Sequence, residues 1–498
     1  MSRVAVVPPQ AGWLVLPLLA STQFVLILDA AIVGVAMPSM AADLGFAAAD
    51  LSWVANAYTL LFGGFLLLGG RVGDLIGRRR TFVLGVLVFS AASLAGGLAQ
   101  EPVWLVAARA AQGLAAAFVA PSALSLLLVA FPEGRQRNRA LGVWGAVAAT
   151  GGAAGGLVGG TLTEWLGWAS VMYVNVPIGL LVAWLAPRVL PAGEPQADGG
   201  GFDLAGALTV TAGLGLAIYA LVDANDAGWA SLQTLGLLAL AAALLAAFMV
   251  IEARTARPLV PLRIFADRNF SVANLVAVLN TMAMFPTFFL LTLYLQRVLG
   301  ITPLGAGLAF LAISGSLLLS TLNGPRLAQR FGSRPTMALA MAVTAAGLAW
   351  FGFISPDGSV LGDIIGPSII TGLGAGVAWT ASAAAATSGA NPQDAGLRSG
   401  VLIASQQVGG AVGLGVVVAV AAGIGGSPSD PVAFTAGLSA GLWLAAGVAA
   451  IGAAITVWLA PRDPRAPLSA NLPEELADVA DKQVRRLHGE EVAAPVKL

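Results

Sequence analysis

Gly70-Arg71-Val72-Gly73-Asp74-Leu75-Ile76-Gly77-Arg78-Arg79-Arg80 is nearly all that separates two apolar stretches, Leu51–Gly69 and Thr81–Ala99. Each stretch has the roughly 20 residues needed to cross about 30 Å of hydrocarbon as a helix. The connection is too short to fold alone, and it carries Arg71, Arg78, Arg79 and Arg80. Positive charge beside a span resists translocation, which keeps such a turn on the cytoplasmic side. Gly70, Gly73 and Gly77 permit the tight reversal. An arginine-rich hairpin between two spans makes this an all-α polytopic membrane protein.

Composition agrees along the whole chain. Of 498 residues, 58% are hydrophobic and 10% charged, with a mean hydropathy of +0.86; soluble domains carry about 25% charged residues. The apolar blocks fall at 12–38, 51–69, 81–99, 103–127, 140–163 and 168–186, then 204–222 and 232–252. Six more follow at 270–294, 304–322, 336–354, 360–386, 399–422 and 433–459, making fourteen. An even number places both termini on one side. With the N-terminus inside, Arg109 within a span and Arg297 outside are the only exceptions among the 25 Lys and Arg residues. Asp43, Asp50, Glu101, Glu164, Asp223, Asp226, Asp357 and Asp430 fall on the outer side. Both termini are therefore expected in the cytoplasm. Met1–Gln10 lacks the basic region and cleavage site of a secretory signal, so the first span is expected to stay.

What is missing narrows the chemistry. There is no Cys, and His488 is the single His, which leaves disulfides and thiolate or imidazole metal sites without ligands. Lys occurs only at Lys482 and Lys497, and neither sits in a phosphate-binding Gly-Lys-Ser/Thr loop. Neither ATP nor nucleic acid is expected as a partner, and no cofactor. A membrane enzyme would need acids and histidines clustered within the spans, and no such cluster is seen. Arginine in place of lysine, beside abundant Ala and Gly, points to a GC-rich bacterial genome.

The arginine hairpin has an echo. Pro325 to Arg334 repeats it 255 residues later, Gly332 matching Gly77 and Arg334 matching Arg79, with Gln329 in place of Asp74. Arg398 to Gly410 likewise echoes Arg139 to Gly151. The chain divides into halves 1–190 and 261–460. Between them, 191–260 holds a Pro/Gly-rich linker and two spans outside the repeat; a polar tail, 461–498, follows. The tail is either a short amphipathic helix on the membrane surface or disordered.

Within the first half, Asp29 is an acid inside a span, where a charge costs at least about 2.5–3.5 kcal/mol on insertion scales. At ~1.5 Å per residue, it lies roughly 13 Å from the outer end of its span, and Arg109 lies roughly 9 Å from the outer end of the fourth. Two opposite charges at similar depth invite pairing, with Asp29 held ionised until a proton releases Arg109. The alternatives are a static ion pair, or an Arg109 that snorkels to the surface. Few other embedded acids qualify as proton sites, since Asp223, Asp226 and Asp363 lie near outer ends. Asp74 could accept hydrogen bonds from a helix N-terminus or pair with arginine, making a latch of Gly70, Gly73, Asp74, Gly77, Arg78 and Arg79. On the other reading the arginines only set topology.

The motifs now make a resemblance specific. Leu28-Asp29-Ala30-Ala31-Ile32-Val33-Gly34-Val35-Ala36-Met37-Pro38, Trp53 and Tyr58, Arg109-Ala110-Ala111-Gln112-Gly113, Val174-Asn175-Val176-Pro177-Ile178-Gly179 and Tyr294-Leu295-Gln296 stand in or at the end of the first, second, fourth, sixth and ninth spans. With the arginine hairpin, they resemble the fourteen-helix drug/proton antiporter branch of the major facilitator superfamily, to about residue 460. The fifth span, with Gly151, Gly152, Gly155, Gly156, Gly159 and Gly160, resembles its antiporter motif, except that Gly155-Gly156 stands where the family usually has Gly-Pro. Close glycines also let helices pack without any special function. The resemblance implies the major facilitator fold: two six-helix halves plus two added helices, with helices 1 and 4 lining a central cavity. It further implies proton-coupled efflux of hydrophobic or amphipathic small molecules across a bacterial cytoplasmic membrane, with protons and membrane lipids as partners. A lipid or cell-envelope precursor flippase, or a dedicated natural-product exporter, is the alternative. Aromatic, Met and amide side chains suit varied ligands, so Trp53, Asn280, Phe285, Phe289, Tyr294, Gln296, Trp379, Gln406 and Gln407 are the cavity candidates. Helix packing is the alternative for each.

Overall fold

A computed structural model describes residues 9–47, 50–131, 135–190, 203–255, 258–388, 392–425 and 430–460. Every regular element among them is helical. In the first half these are α1 (Pro9–Leu44), α2 (Trp53–Ile76), α3 (Arg78–Gly97), α4 (Pro102–Ala130), α5 (Arg135–Leu166), α6 (Ala169–Tyr173) and α7 (Asn175–Val189). Then come α8 (Leu204–Ala227) and α9 (Leu232–Arg254). The last group is α10 (Arg268–Leu293), α11 (Pro303–Phe331), α12 (Ser333–Phe351), α13 (Gly366–Thr387), α14 (Pro392–Gly425) and α15 (Pro431–Leu459).

Helix covers each expected apolar stretch, and among the described residues 11 helices have both the length and the apolarity to cross a membrane. Large apolar side chains turn outward, Leu232 at 90% and Trp458 at 81% exposure, as a hydrocarbon solvent allows. Several helices outrun the apolar stretches that foretold them: α2 continues through Gly70 and Gly73 to Ile76, so the reversal expected of three glycines falls on Gly77 alone, and α11 likewise continues to Phe331. α1 continues through Pro38 to Leu44, and the sixth stretch divides at Val174 into α6 and α7. Pro177 explains the division, because it has no N–H to give to the Tyr173 carbonyl.

Packing repeats between the halves. α2 lies on α4, α3 on α4 and α7, and α1 on α5; in the same pattern α11 lies on α13, α12 on α13 and α15, and α10 on α14. The halves meet along α5–α11 and α2–α14, and the α8–α9 hairpin leans on α14 and α2 beside the second seam. The two arginine turns repeat in detail as well. Gly77 and Gly332 have φ of +100° and +89°, a conformation that glycine adopts without steric cost. The carbonyls of both take the hydroxyl and N–H of a threonine four residues on, Thr81 and Thr336. Arg79 Nη1 then donates to Leu190 O at 3.1 Å just past the end of α7, and Arg334 Nη2 to Val457 O near the end of α15. A cation there complements the negative end of the helix dipole. These turns mark a basic end of the bundle, opposite an acidic end that carries Asp43, Glu164 and Asp430.

Candidate functional site

Asp29, in the middle of α1, is fully buried, and Arg109 of α4 is 1% exposed. Arg109 Nη1 donates to Asp29 Oδ2 at 2.6 Å. The other carboxylate oxygen, Oδ1, accepts from Asn175 Nδ2 at 2.6 Å and from Gln112 Nε2 at 3.3 Å. Arg109 also gives Nε–H to Val54 O at 3.0 Å and Nη1–H to Gln112 Oε1 at 3.0 Å. Its guanidinium carbon sits 4.4 Å from the centre of the Tyr58 ring, which offers its π face to the cation. Ser93 Oγ accepts from Gln112 Nε2 at 2.7 Å and from Asn175 Nδ2 at 3.5 Å, joining the amides to α3.

Local structure delivers these groups. Gln112 lies one turn from Arg109 on α4, so both face α1. Asn175 opens α7 just after the division forced by Pro177, which lets its amide reach Asp29. Gly113 sets the α2–α4 distance, since a Cβ there would overlap the Tyr58 carbonyl. Each charge is thus surrounded by dipoles as well as by its counter-ion, the condition under which a buried pair holds together. Asn175 Oδ1 is buried without a donor. Sequence reasoning singled out Asp29 and Arg109. It saw Gln112, Asn175 and Tyr58 only as motif letters and missed Ser93, whose sole signal, a small polar residue in a span, is common to many helices.

The α5 glycines divide between two partners. Gly151, Gly155 and Gly159 face α1 at Phe24, Ala31 and Ile32, whereas Gly156 and Gly160 face α11 at Phe310 and Pro303; Gly152 is loosely packed near Ile27. The α5–α11 seam lies towards the acidic end. There Glu164 Oε2 accepts from Leu304 N at 2.9 Å, at the start of α11. Gln296 Nε2 donates to Val35 O at 2.9 Å and Arg297 Nη2 to Pro38 O at 3.3 Å, tying the same end across the halves.

In the arginine turn, Gly70 and Gly73 pack beside Pro121 and Ser122 of α4, while Arg78 starts α3 and Arg79 caps α7. The Asp74 side chain lies outside the described residues, as do those of Gln329 and Arg139, the linker 191–202 and the tail 461–498.

The cavity candidates scatter. Asn280 is buried and donates to Ala375 O at 3.3 Å, and Tyr294 is buried with its hydroxyl on Ser355 O at 2.8 Å. Phe289 is buried, Phe285 packs at Gly410, Trp53 lies 6.3 Å from the Tyr219 ring and Trp379 is 40% exposed. Gln406 is buried, and Gln407 abuts Gly63 on the α2–α14 seam. A cavity of 450 Å³ opens beside that seam, between Gly63, Leu214, Phe248, Val260, Val278 and Ser405. It draws its walls from α2, α8, α9, α10, α14 and the segment after α9, and none of the sequence candidates lines it. Its lining is apolar apart from the Ser405 hydroxyl and backbone.

Comparison with known proteins fits this architecture. The profile of the Major Facilitator Superfamily matches residues 19–413 and 272–489. The cephamycin export protein CmcT of Amycolatopsis lactamdurans is 43% identical over 83% of this chain and 86% of its own length. The puromycin resistance protein pur8 of Streptomyces alboniger is 39% identical over 84% and 83%. The tetracenomycin C resistance and export protein of Streptomyces glaucescens is 33% identical over 79% and 73%. Among solved structures, a bacterial homologue of the human lysosomal transporter Spinster, inward-facing and unoccupied, superposes with a TM-score of 0.67 over 91% of this chain and 98% of its own, at 16% identity. That likeness shows a shared fold. With the profile crossing both halves and these relatives aligned over most of their length, the chain is a multi-pass membrane protein that belongs to the Major Facilitator Superfamily of transporters.

Proposed function

We propose that the protein exports hydrophobic or amphipathic small molecules, antibiotics among them, across the bacterial cytoplasmic membrane in exchange for protons. The observation that carries this reading is the buried Asp29–Arg109 pair at 2.6 Å. Efflux as the direction rests on relatives named for antibiotic export and resistance. In this scheme all fourteen helical stretches cross the bilayer, the basic end faces the cytoplasm, and both termini lie there.

A proton that reaches Asp29 from the acidic side neutralises the carboxylate and removes its Coulomb hold on Arg109. The amide of Asn175 can then turn its orphaned Oδ1 to the new O–H. The α1–α4 contact loosens, and the halves part along the α5–α11 seam, where Glu164, Gln296 and Arg297 release their partners. The membrane potential contributes about 2.3 kcal/mol per proton charge per 100 mV. The arginine turns act as latches between the ends of neighbouring helices, and the apolar cavity beside the α2–α14 seam receives the substrate. A dedicated exporter of one natural product is the second reading, favoured by the relatives named for cephamycin and tetracenomycin C.

The test is uptake of a lipophilic fluorescent dye into inverted membrane vesicles driven by an imposed proton gradient. Wild type should accumulate dye, and Asp29→Asn should insert normally without accumulating it. Full gradient-driven uptake by Asp29→Asn removes the proton role of Asp29.

A further inference from the structure

The fully buried residues of α9 are Thr234, Ala241 and Glu252, while Leu232, Leu235, Leu240 and Val250 are exposed and Leu245 and Phe248 line the cavity. An acid on the protected face of such a helix needs a reason, because charge is costly at that position. Glu252 is 3% exposed, and Asp203, the N-cap of α8, is 8% exposed. Each uses one carboxyl oxygen on backbone: Asp203 Oδ1 accepts from Gly206 N at 2.7 Å, and Glu252 Oε2 from Val260 N at 2.9 Å. The other oxygens, Asp203 Oδ2 and Glu252 Oε1, are buried without a hydrogen-bond partner. Both converge on one point, since a Cβ on Gly206 would lie 2.7 Å from the first and 2.9 Å from the second. The two carboxyl groups therefore face the same spot beside Gly206.

Two carboxylates are acceptors only, so in this arrangement they repel and leave two lone-pair sites unfilled. No cation fills the gap among the described residues: Arg254 on α9 and Arg263 beyond it point outward and are exposed, and Arg257 lies outside the described residues. One proton resolves both problems, because a carboxylic O–H donates to the facing oxygen and removes the repulsion.

We propose that Asp203 and Glu252 bind one proton between them, forming a second proton site on the added α8–α9 hairpin. It is separate from Asp29 and does not depend on the transport reading. Val260, which holds the other Glu252 oxygen, also lines the cavity. The shared proton therefore clamps the start of α8, the end of α9 and the cavity wall together, and its loss drives the two anions apart.

The test is infrared difference spectroscopy of the protonated-carboxyl C=O stretch, between neutral and alkaline buffer, on the full chain in lipid. All samples carry Asp29→Asn, so Asp29 contributes no signal. A protonated-carboxyl band lost on alkalinisation is expected. It should be absent from both Glu252→Gln and Asp203→Asn made in that background, and retained in Asp223→Asn, which alters a half-buried acid near the other end of α8 that accepts from Gln233 Nε2 at 2.7 Å. Glu252→Gln keeps a donor facing Asp203 and should fold; Asp203→Asn provides an independent check. Absence of the band before either substitution, or its survival in both pair variants, overturns the proposal.

Discussion

Gly160→Ala tests whether the α5–α11 seam is what shuts the acidic end. A Cβ at this position would lie 2.5 Å from Pro303 O and 2.9 Å from Leu304 Cα, both of them backbone atoms across the seam. No side-chain rotation relieves such a clash. To reach an ordinary contact of about 3.5 Å, the helices must part by about 1 Å. Overpacking of this kind costs about 1–3 kcal/mol. Charged to the acidic-end-closed state alone, that shifts a two-state equilibrium about 5–150-fold towards the opposite state. Gly152→Ala is the matched control on the same helix, because its nearest neighbour is 3.9 Å away. The absence of native Cys makes labelling clean. Spin labels at Glu101→Cys and Val432→Cys, both exposed at the acidic end, report the opening as a longer inter-label distance by pulsed electron resonance. Gly160→Ala should populate the longer distance, and Gly152→Ala should match the parent. A Gly160→Ala distribution identical to the parent's refutes the reasoning that this seam closes the acidic end.

Three further predictions follow from the same geometry. Asp29→Asn strands the Arg109 charge and should lower stability by about 3–5 kcal/mol. The double variant Asp29→Asn/Arg109→Gln should recover most of that in thermal melts while remaining unable to couple protons. Arg79→Gln and Arg334→Gln each remove a cation from a helix C-terminus and should cost about 0.3–1 kcal/mol apiece at low salt; their melting shifts should add, because the two turns lie in different halves. The third concerns Asp267, which caps α10 and takes Arg398 Nη1 at 2.7 Å. Partial burial pushes its carboxyl up, but the Arg398 hydrogen bond, the Phe270 and Asn269 N–H groups and the Arg398 charge together outweigh it and hold it below the usual carboxylate range. The unfolded chain then binds a proton more readily than the folded one. The clasp stabilises fully above the ordinary aspartate range and is lost as pH falls through the depressed value. Asp267→Asn should flatten the acid limb of a stability–pH profile; an unchanged limb would count against the clasp.

Much of this molecule was legible because the bilayer imposes strong rules. The apolar blocks and the arginine asymmetry located the helices, and the glycine–arginine echo located the repeat, which reappears as matching turns at Gly77 and Gly332. Asp29 and Arg109 stood out because charge inside a span is rare. Their polar partners did not. Asn175 and Ser93 carry no charge, and which face of a helix a lone amide or hydroxyl occupies depends on packing. Proline had a hidden part here, since the division at Pro177 is what aims Asn175. The glycines of α5 share one spacing but serve two partners, and only the three-dimensional arrangement separates Gly155, against α1, from Gly156, against α11. The pair Asp203–Glu252 escaped notice because its members lie 49 positions apart, at the margins of two spans where an acid looks interfacial. The cavity was the least legible feature, since it is walled by ordinary Leu, Val and Phe drawn from several helices.

Proton counting gives the most direct test of the exchange scheme. Purified protein is reconstituted into liposomes holding a pH-sensitive dye, and a substrate gradient is imposed with no starting proton gradient. The scheme predicts substrate-driven proton movement in the opposite direction for wild type and none for Asp29→Asn. Substrate movement without any proton flux in wild type, or equal proton flux in both proteins, would contradict it.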